Sequence, residues 1–298
     1  MISICIPLYN FDATGLIMEL QRQMEKLSIP CELILIDDHS EDSYREYYRS
    51  LTGDHQYIEL PQNVGRAKIR NLFLQYATFP YLLFLDCDSI IHQSDFLHNY
   101  LSIISEQPDV VCGGRVYPFE KPDKEHQLRW NYGIQRESKT CKERQKTPNR
   151  SFMTNNFLIK KELLQEIRFD ERLTQYGHED TLFGLELAKR GITIKHIENP
   201  ILNGDIETNE EFLRKTEAGI ENVIKILEYS QEDPDLIQNI TLLKTYQQIK
   251  WLKPILIPLF SIIKPVLKNR LLNNSVSIKW FNIYKLGMII SYKKNINQ

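Results

Sequence analysis

Two apolar segments of this sequence run directly into acidic residues. Asp37-Asp38 follows Cys31–Ile36, and the triplet Asp86-Cys87-Asp88 follows Tyr81–Leu85. Carboxylate oxygens bind hard divalent cations such as Mg²⁺ and Mn²⁺, which also accept the phosphate oxygens of a substrate. Aspartate is also common in the turn that follows a strand, where it caps the backbone. The two acidic groups therefore predict either a cation site or a pair of capped turns.

A third acidic group, Glu179-Asp180, precedes a helical pattern over Thr181–Lys189. A carboxylate within hydrogen-bond reach of a hydroxyl can act as a general base. Acidic residues at the start of a helix are also favoured by the helix dipole, whatever their function. With His178 they do not form a His-Glu-x-x-His zinc motif, because Leu182 occupies the position of the second histidine. General-base catalysis and a helix-terminal role are both open for this pair.

The elements that would carry these acids alternate between strands and helices. Continuous apolar runs predict strands, and apolar residues at helical spacing predict the helices between them. The predicted strands are Ile2–Leu8, Cys31–Ile36, Tyr57–Leu60 and Tyr81–Leu85, and the predicted helices are Leu16–Leu27, Asp42–Ser50 and Asn63–Tyr76. This alternation indicates an α/β fold with a mostly parallel sheet, in which ligands bind beyond the carboxyl ends of the strands. We therefore expect the acidic groups to meet at that edge.

Two nucleotide-binding classes are excluded by the same region. No Gly-x-Gly-x-x-Gly follows the first strand, as a dinucleotide-binding fold would require, and the sequence has no P-loop. A phosphate bound at this edge is therefore expected to be held by a cation rather than by a glycine-rich loop.

The composition is that of a globular protein. Of the 298 residues, 42% are apolar and 26% are charged, which excludes disordered and fibrous classes. The five cysteines are scattered without a Cys-x-x-Cys pair, which argues against a disulfide framework or a thiolate zinc site and favours a reducing cytosol. The sequence contains no recognisable signal peptide and no apolar stretch of about 18 residues, so we expect neither secretion nor a transmembrane helix.

The charge is distributed unevenly along the chain. Residues 239–298 contain ten Lys or Arg and no Asp or Glu, whereas residues 1–238 contain 27 basic and 39 acidic side chains. This tail is also apolar and is interrupted by Pro254, Pro258 and Pro265, which predict two or more short amphipathic helices. Such helices favour the surface of an anionic membrane, while packing on the rest of the chain and a dimer contact are the alternatives. Nucleic acid is not expected as a partner, because the acidic body would repel phosphate.

Four short segments occur in sequence along the chain: Ile4–Asn10, Ile36–Ser40, Asn63–Asn71 and Phe84–Ser89. Together they resemble, in the same order, four segments of the family-2 glycosyltransferases, which have the GT-A fold. Ile4–Asn10 resembles the opening strand and Pro-x-Tyr-Asn turn of that family, and Ile36–Ser40 resembles its acidic nucleoside-binding turn, with His39 where glycine is common. Asn63–Asn71 is similar to the Asn-x-Gly…Ala-Arg-Asn segment, and Phe84–Ser89 is similar to the Asp-x-Asp metal motif. The resemblance implies a GT-A fold and the transfer of a sugar from a nucleotide-sugar to an acceptor hydroxyl.

The resemblance continues further along the chain. Thr154–Ile159 and Phe169-Asp170-Glu171 resemble the acceptor-side strand and the Phe-Asp-Glu of the family. Tyr176–Gly184 is similar, with two substitutions, to the segment containing Gly-x-Glu-Asp in galactosyltransferase-type enzymes that share the fold. On this basis we assign residues 1–228 to a GT-A domain. Residues 229–298 would form a C-terminal helical tail that associates with a membrane.

The resemblance also implies roles for the matching residues. Asp180 would be the general base of an inverting transfer, in which the acceptor attacks from the face opposite the leaving diphosphate. Asp88, together with Asp86, would bind Mn²⁺ or Mg²⁺. The remaining predicted contacts are Glu179 and Asn156 for the acceptor, and Pro7, Tyr9, Asp38, Arg66, Arg70 and Asp86 for the donor. Asn203 stands where many GT-A enzymes have a metal-binding histidine, which leaves the third metal ligand open.

An aromatic cluster, Tyr117, Trp130 and Tyr132, accompanies a long irregular stretch near residues 119–150. Long loops often act as lids over active sites. Because sugars stack on aromatic faces, Trp130 is a further candidate for acceptor contact. Packing in a hydrophobic core is the alternative for all three side chains.

The sequence as a whole predicts a metal-dependent glycosyltransferase on the cytoplasmic face of a membrane. Its partners would be a nucleotide-sugar donor, a glycan or lipid-linked acceptor, and an anionic membrane surface bound by residues 239–298. Two alternatives are open. A catalytically inactive nucleotide-sugar-binding scaffold is kept open by Asn203, but Asp86, Asp88 and Asp180 argue against it. A nucleotidyltransferase is less consistent, because Tyr9–Asp12 offers no glycine-rich basic loop after the first strand.

Overall fold

Two β-sheets form the framework of the protein. This computed structural model describes residues 1–51, 53, 55–173, 177–273 and 277–292. The strands are β1 (Ile2–Leu8), β2 (Cys31–Asp37), β3 (Gln56–Glu59), β4 (Tyr81–Leu85), β5 (Ser89–Ile90), β6 (Val110–Cys112), β7 (Arg115–Val116), β8 (Asn156–Lys160), β9 (Lys195–His196) and β10 (Ile201–Asn203). The four strands predicted from apolar runs are β1 to β4, each within about two residues of its predicted bounds.

The larger sheet has seven strands in the order β3-β2-β1-β4-β8-β6-β9. Strand β8 is antiparallel to its neighbours β4 and β6, and the other pairs are parallel. The smaller sheet has the order β5-β10-β7, and β5 begins directly after Asp88. The predicted α/β fold with a mostly parallel sheet is confirmed.

Helices connect the strands and make up the C-terminal part of the chain. They are α1 (Thr14–Met24), α2 (Asp42–Ser50), α3 (Arg66–Tyr76), α4 (Phe96–Ile104), α5 (Gln127–Tyr132), α6 (Cys141–Arg144), α7 (Lys161–Ile167), α8 (Glu179–Lys189), α9 (Asn209–Tyr229), α10 (Pro234–Asn239), α11 (Thr241–Ile249), α12 (Lys253–Asn273) and α13 (Ile278–Ser291). Short 3₁₀ turns lie at Asn149–Ser151 and Lys250–Leu252, and a π turn lies at Gly133–Glu137. No described helix combines the length and hydropathy that a membrane-spanning helix needs.

Aromatic packing fixes one face of the larger sheet. Phe84 of β4 stacks on Phe157 of β8, with ring centroids 4.9 Å apart, and meets Phe73 of α3 edge to face. Phe169 stacks on Phe183 of α8 at 4.3 Å, and it also approaches Phe157. Because these large rings are buried together, α3 and α8 are held over the same face of β4 and β8. The acids that follow β4 and those that open α8 are positioned by this cluster.

The chain divides into two compact units. The first comprises Met1–Pro118, Glu137–Thr174 and Glu179–Asp205, and it contains both sheets. The second comprises Phe119–Arg136, Gln175–His178 and Ile206–Gln298. The boundary predicted at residue 228 falls inside α9, which is one continuous helix and belongs to the second unit. The difference arises because α9 contributes buried apolar side chains to the hydrophobic cluster of that unit.

That cluster explains why the tail holds one long helix. Its buried members are Leu128, Phe212, Leu213, Phe260, Leu267, Leu271, Phe281 and Tyr284. Helix α12 runs for 21 residues with Pro258 and Pro265 inside it, so the prediction that the prolines divide this segment is wrong. An interior proline costs a helix about 3 kcal/mol. Burial of three large side chains from α12, at about 1.5–3 kcal/mol each, offsets that cost.

Candidate active site

The turn after β2 is built around Asp37 and Asp38, both nearly inaccessible to solvent. Asp37 Oδ1 accepts the Ser40 N–H at 2.7 Å. Asp38 accepts the backbone N–H groups of Val64 at 2.6 Å and Gly65 at 3.1 Å, and burial raises its pKa. The predicted donor residue Asp38 therefore uses both carboxylate oxygens to hold the segment before α3. Its contact with a nucleoside stays a prediction.

The residue between this turn and Ser40 has an unusual backbone. His39 has φ of 65°, in the left-handed region that glycine adopts without strain. A residue with a side chain costs roughly 1–2 kcal/mol there. This geometry explains why glycine is common at the matching position of the resembling family.

Asp86 and Asp88 follow β4 at the same edge of the sheet. Arg70, a buried residue of α3, donates from Nη2 to Asp86 Oδ1 at 2.8 Å. Burial raises the pKa of Asp88, and the negative charge of Asp86 raises it further. Two carboxylates that repel one another in a partly buried place lower their energy by sharing a cation. The predicted residues Arg70, Asp86 and Asp88 are thus brought together.

Helix α8 begins with the predicted acceptor-side acids. Glu179 is buried, and its carboxylate lies 3.8 Å from Arg66 Nη1 of α3. Asp180 accepts the Thr181 N–H through Oδ1 at 2.6 Å, and no group among the described residues bonds its second oxygen. Burial, followed by the charge of Glu179, raises the pKa of Asp180 to about 6. A carboxylate whose pKa is raised toward neutral pH suits a general base, because it can both accept a proton and release it.

Arg70 connects the two acidic groups. Its guanidinium bonds Asp86 directly, and its positive charge also acts on Asp180, where it lowers the pKa slightly. It packs over the Phe169 ring, 5.9 Å from the centroid, beneath the same aromatic cluster that holds α8. One buried cation therefore lies within electrostatic range of both Asp86 and Asp180.

The donor set next to β4 fits a hard divalent cation. Asp86 and Asp88 supply carboxylate oxygens, and Asn203 on β10 pairs with Ser89 of β5, directly after Asp88. Among the described residues no group of three or more His, Cys, Asp or Glu side chains could hold a metal ion. A cation bound by the two aspartates would complete its shell with water and substrate phosphate, as Mg²⁺ does in many nucleotide enzymes. The Asn203 side chain donates from Nδ2 to the Asp205 carbonyl oxygen, so its Oδ1 is the atom left to bind a cation.

Asn156, predicted to contact the acceptor, is fully buried at the start of β8. Its Oδ1 accepts the Tyr100 hydroxyl at 2.7 Å, and its Nδ2 donates to the carbonyl oxygens of Gly114 and Asn199, each at 2.9 Å. These bonds tie α4 and the loop after β6 to β8. The amide is therefore engaged within the protein, on the face of the sheet opposite to the aromatic cluster.

Arg115 is a further positively charged residue near Asp88, and the sequence pattern did not indicate it. It lies on the two-residue strand β7, bonds the Tyr117 hydroxyl and Glu137 at 3.3 Å each, and its charge acts on Asp88. Its Nε has no hydrogen-bond partner among the described residues. A strand of two residues leaves no periodicity to read, so the sequence carried no signal for this arginine.

The other predicted contacts have different surroundings. Pro7 is the last residue but one of β1, which pairs with β4, and Tyr9 follows the strand with 52% of its surface exposed. Trp130 lies on α5 in the second unit and is partly exposed. Its neighbour Tyr132 packs against Phe212 and Phe281, so the core alternative holds for Tyr132. Stacking of Trp130 on a sugar stays a prediction.

Comparison with known proteins identifies the family. The model described as Glycosyl transferase family 2 matches residues 3–168, which is more than half of the chain. The chain belongs to glycosyl transferase family 2. The predicted family-2 glycosyltransferase is thereby confirmed. The match ends before Gly177, so the likeness of Tyr176–Gly184 to galactosyltransferases stays a prediction, and Tyr176 itself lies outside the described residues.

Curated relatives match this family member over part of their length. It is 32% identical over 120 residues to an uncharacterized glycosyltransferase of Haemophilus influenzae, covering 38% of this chain and 46% of the relative. It is 25% identical over 261 residues to a chondroitin synthase of Pasteurella multocida, covering 76% of this chain and 27% of the relative. The chain therefore spans less than half the length of these relatives.

Solved structures share the fold of this glycosyl transferase family 2 chain. The mannosyltransferase PcManGT from Pyrobaculum calidifontis, in complex with GDP-Man and Mn²⁺, aligns at a TM-score of 0.57 and 14% identity, covering 97% of this chain and 85% of that one. S. aureus TarS 1–349 in complex with UDP aligns at a TM-score of 0.50 and 19% identity, covering 97% and 88%. At these identities the likeness concerns the fold, and it confirms the predicted GT-A architecture with C-terminal helices.

Proposed function

We propose that this chain transfers a sugar from a nucleotide-sugar donor to an acceptor hydroxyl, with inversion at the anomeric carbon. Membership of glycosyl transferase family 2 supports the reaction class. The observation that carries the proposal is the position of Arg70, which bonds Asp86 and packs over Phe169, the ring that stacks on Phe183 of α8. One buried guanidinium thus connects the acid on the donor side to the helix that begins with Glu179 and Asp180.

Asp180 acts as the base in this mechanism. As the acceptor oxygen bonds to the anomeric carbon, its proton passes to Asp180, and the bond from that carbon to the diphosphate breaks with its electron pair on the diphosphate. The raised pKa of Asp180 makes proton acceptance favourable near neutral pH. Glu179, held by Arg66, lies beside it and would orient acceptor hydroxyls. Attack opposite the leaving group gives the inverted product.

Asp88, Asp86 and the Asn203 amide would hold Mg²⁺ or Mn²⁺ on the donor side. When bound, such a cation neutralises charge that develops on the departing diphosphate. The arginines contribute from the protein itself, because Arg66, Arg70 and Arg115 surround the two aspartates with positive charge. Asp38 would anchor the nucleoside indirectly, by holding the Val64–Gly65 backbone, or directly through its carboxylate.

The acceptor in this proposal is a growing glycan or a lipid-linked saccharide. Two relatives at 25% identity are named chondroitin synthases, which favours a saccharide acceptor. The test of the reaction is hydrolysis of nucleotide-sugars in the presence of Mn²⁺, Mg²⁺ or EDTA, followed by NMR of the anomeric configuration of the released sugar. Donor hydrolysis uses water as the acceptor, so it needs no knowledge of the natural one.

We also propose that the tail docks on the cytoplasmic surface of an anionic phospholipid membrane. Trp251, Ile255, Leu259, Ile262 and Val266 are each at least half exposed. Their spacing of three or four residues places them along one side of α12 and the turn before it, which we term the apolar ridge. The helix buries Phe260, Leu267 and Leu271 in the second unit on its other side.

The charge of the tail supports an anionic membrane as the occupant of the apolar ridge. Residues 239–298 carry ten basic and no acidic side chains, and Lys268 and Arg270 are exposed near the end of α12. Pro258 and Pro265 are also exposed; each lacks an N–H, so a backbone carbonyl one turn earlier loses its helical donor. Such carbonyl oxygens need hydrogen bonds from water or from lipid headgroups. The ridge is therefore suited to the interface of an anionic bilayer, where apolar, basic and hydrated groups are all accommodated.

We expect the double substitution Ile255→Ser/Ile262→Ser to weaken binding to phosphatidylglycerol-containing vesicles by at least about 10-fold, because it removes two apolar side chains from the ridge. The fold should be unaffected, since both side chains are exposed. Sedimentation with vesicles of phosphatidylcholine, with and without phosphatidylglycerol, measures the effect, and Asn269→Ser on the same helix is the control. Equal binding of the double variant would contradict the proposal. A dimer that the substitutions dissociate would instead assign the ridge to a second copy.

A further inference from the structure

The residue before β8 has a polar side chain that the protein leaves without a partner. Asn155 is 3% exposed, and neither Oδ1 nor Nδ2 forms a hydrogen bond among the described residues. Buried amides in folded proteins are nearly always bonded, because the loss of hydration is otherwise uncompensated. An exception therefore calls for a functional explanation. Its neighbour Asn156 is equally buried but has three partners, so burial alone does not account for the difference.

The position of Asn155 is set by the pairing of β4 and β8. Asn155 lies opposite the end of β4, where its carbonyl oxygen accepts the Asp86 N–H at 3.2 Å. It is two residues before Phe157, and Asp86 is two residues after Phe84. Asn155 lies in the turn just before β8 and Asp86 just after β4, so the two residues continue the β4–β8 pairing at the edge of the sheet, next to the face on which Phe157 and Phe84 stack.

That face is the one covered by α3 and α8. Arg70 of α3 bonds Asp86 there, and Phe183 of α8, one turn after Asp180, joins the aromatic cluster through Phe169. Asn155 is therefore adjacent, across the β4–β8 pair, to the donor-side acid that Arg70 bonds. Asn156 turns to the other face, toward Tyr100 of α4.

We propose that the Asn155 amide binds a hydroxyl group of the sugar in the active site and helps to determine which sugar is accepted. A carboxamide both donates and accepts, which matches a hydroxyl group. A site that uses a buried amide in this way discriminates strongly against a sugar that lacks or misplaces the hydroxyl, because the amide is then left unbonded again. Asn155 would be a specificity-determining residue rather than a base or a metal ligand.

This inference rests on the proposed transferase function, and its test separates the two. We expect Asn155→Ala to lower kcat/KM for donor hydrolysis by about 10-fold, as for the loss of one hydrogen bond to a neutral group. The melting temperature should be unchanged or higher, because the substitution removes an amide that has no partner in the protein. The matched control Asn156→Ala should lower the melting temperature, because it leaves Tyr100 and two carbonyls unbonded.

Deoxy analogues of the hydrolysed nucleotide-sugar identify the group that is bound. We expect one deoxy analogue to have a kcat/KM with wild-type protein that is lowered about as much as the Asn155→Ala substitution lowers it for the full substrate. The same analogue should cause no further loss of kcat/KM in the Asn155→Ala variant. If the loss appears only in transfer to a saccharide and not in hydrolysis, the hydroxyl belongs to the acceptor. The inference is overturned if wild-type protein hydrolyses the donor and Asn155→Ala matches it both in hydrolysis and in transfer to a saccharide, or if Asn155→Ala loses stability as Asn156→Ala does. Absence of hydrolysis by wild-type protein would instead count against the proposed function.

Discussion

We expect Asp180→Asn to reduce kcat by roughly 10²–10⁴-fold, the range that a positioned general base contributes. The amide has nearly the same shape but cannot take a proton from the acceptor. Donor affinity should change little, because Arg70 and the Asp86–Asp88 pair are untouched. Parallel kinetics and calorimetry with a nucleotide-sugar measure both quantities. Glu186→Gln is the control, since Glu186 is a half-exposed acid on the same helix that pairs with Arg190.

The pH dependence of kcat is a second test of the role of Asp180. A base works only when deprotonated, and the pKa of Asp180 is raised to about 6. The kcat of the wild-type protein should therefore fall about tenfold per pH unit below pH 6 and level off above it. The residual activity of Asp180→Asn should lack this acidic limb. A variant that keeps both wild-type kcat and the limb would show that Asp180 serves only the start of α8.

The second large effect is expected for Asp88→Asn, on donor binding. Replacing a carboxylate ligand by an amide should weaken cation-dependent binding of a nucleotide-sugar by at least about 100-fold, equivalent to roughly 2.7 kcal/mol. The melting temperature should stay the same or rise, because the substitution relieves repulsion between Asp86 and Asp88. Titration calorimetry with Mn²⁺ and with EDTA measures the loss.

An exposed aspartate provides the comparison for this variant. Asp95 precedes α4 and makes no side-chain cap hydrogen bond, so Asp95→Asn should leave donor binding unchanged. Two results would contradict the role of Asp88. One is donor binding that survives the substitution. The other is wild-type binding that is equally tight in EDTA, which would show that the arginines alone hold the diphosphate.

The strand framework could be read from the sequence because its signals are local. The apolar runs of β1, β2 and β4 are buried on both faces of the sheet, so each is continuous and ends abruptly in polar residues. Parallel strands bring their carboxyl ends to one edge, which is why the acids after β2 and β4 could be expected there. The segment after β2 also matched the family pattern in spite of His39.

The site residues on less regular backbone could not be read in the same way. Asn155 and Asn156 are the same residue type in adjacent positions, and only the tertiary contacts of the Asn156 amide distinguish the bonded side chain from the unbonded one. Arg115 lies on a strand too short to show a pattern. In the tail, the prolines predicted breaks in the helix, but burial of one face of α12 outweighs the tendency of proline to end a helix. Each difference comes from tertiary contacts between residues far apart in the chain.

The most direct test of the account is time-resolved NMR of nucleotide-sugar hydrolysis by the wild-type protein. UDP-, GDP- and dTDP-sugars would each be supplied with Mn²⁺, with Mg²⁺ and with EDTA. The account predicts that at least one donor is consumed, that consumption stops in EDTA, and that the sugar first released has the opposite anomeric configuration. Retention of configuration would contradict the role of Asp180 as base for direct displacement. Failure to consume or bind any donor under any condition would contradict the transferase function and favour a non-catalytic scaffold.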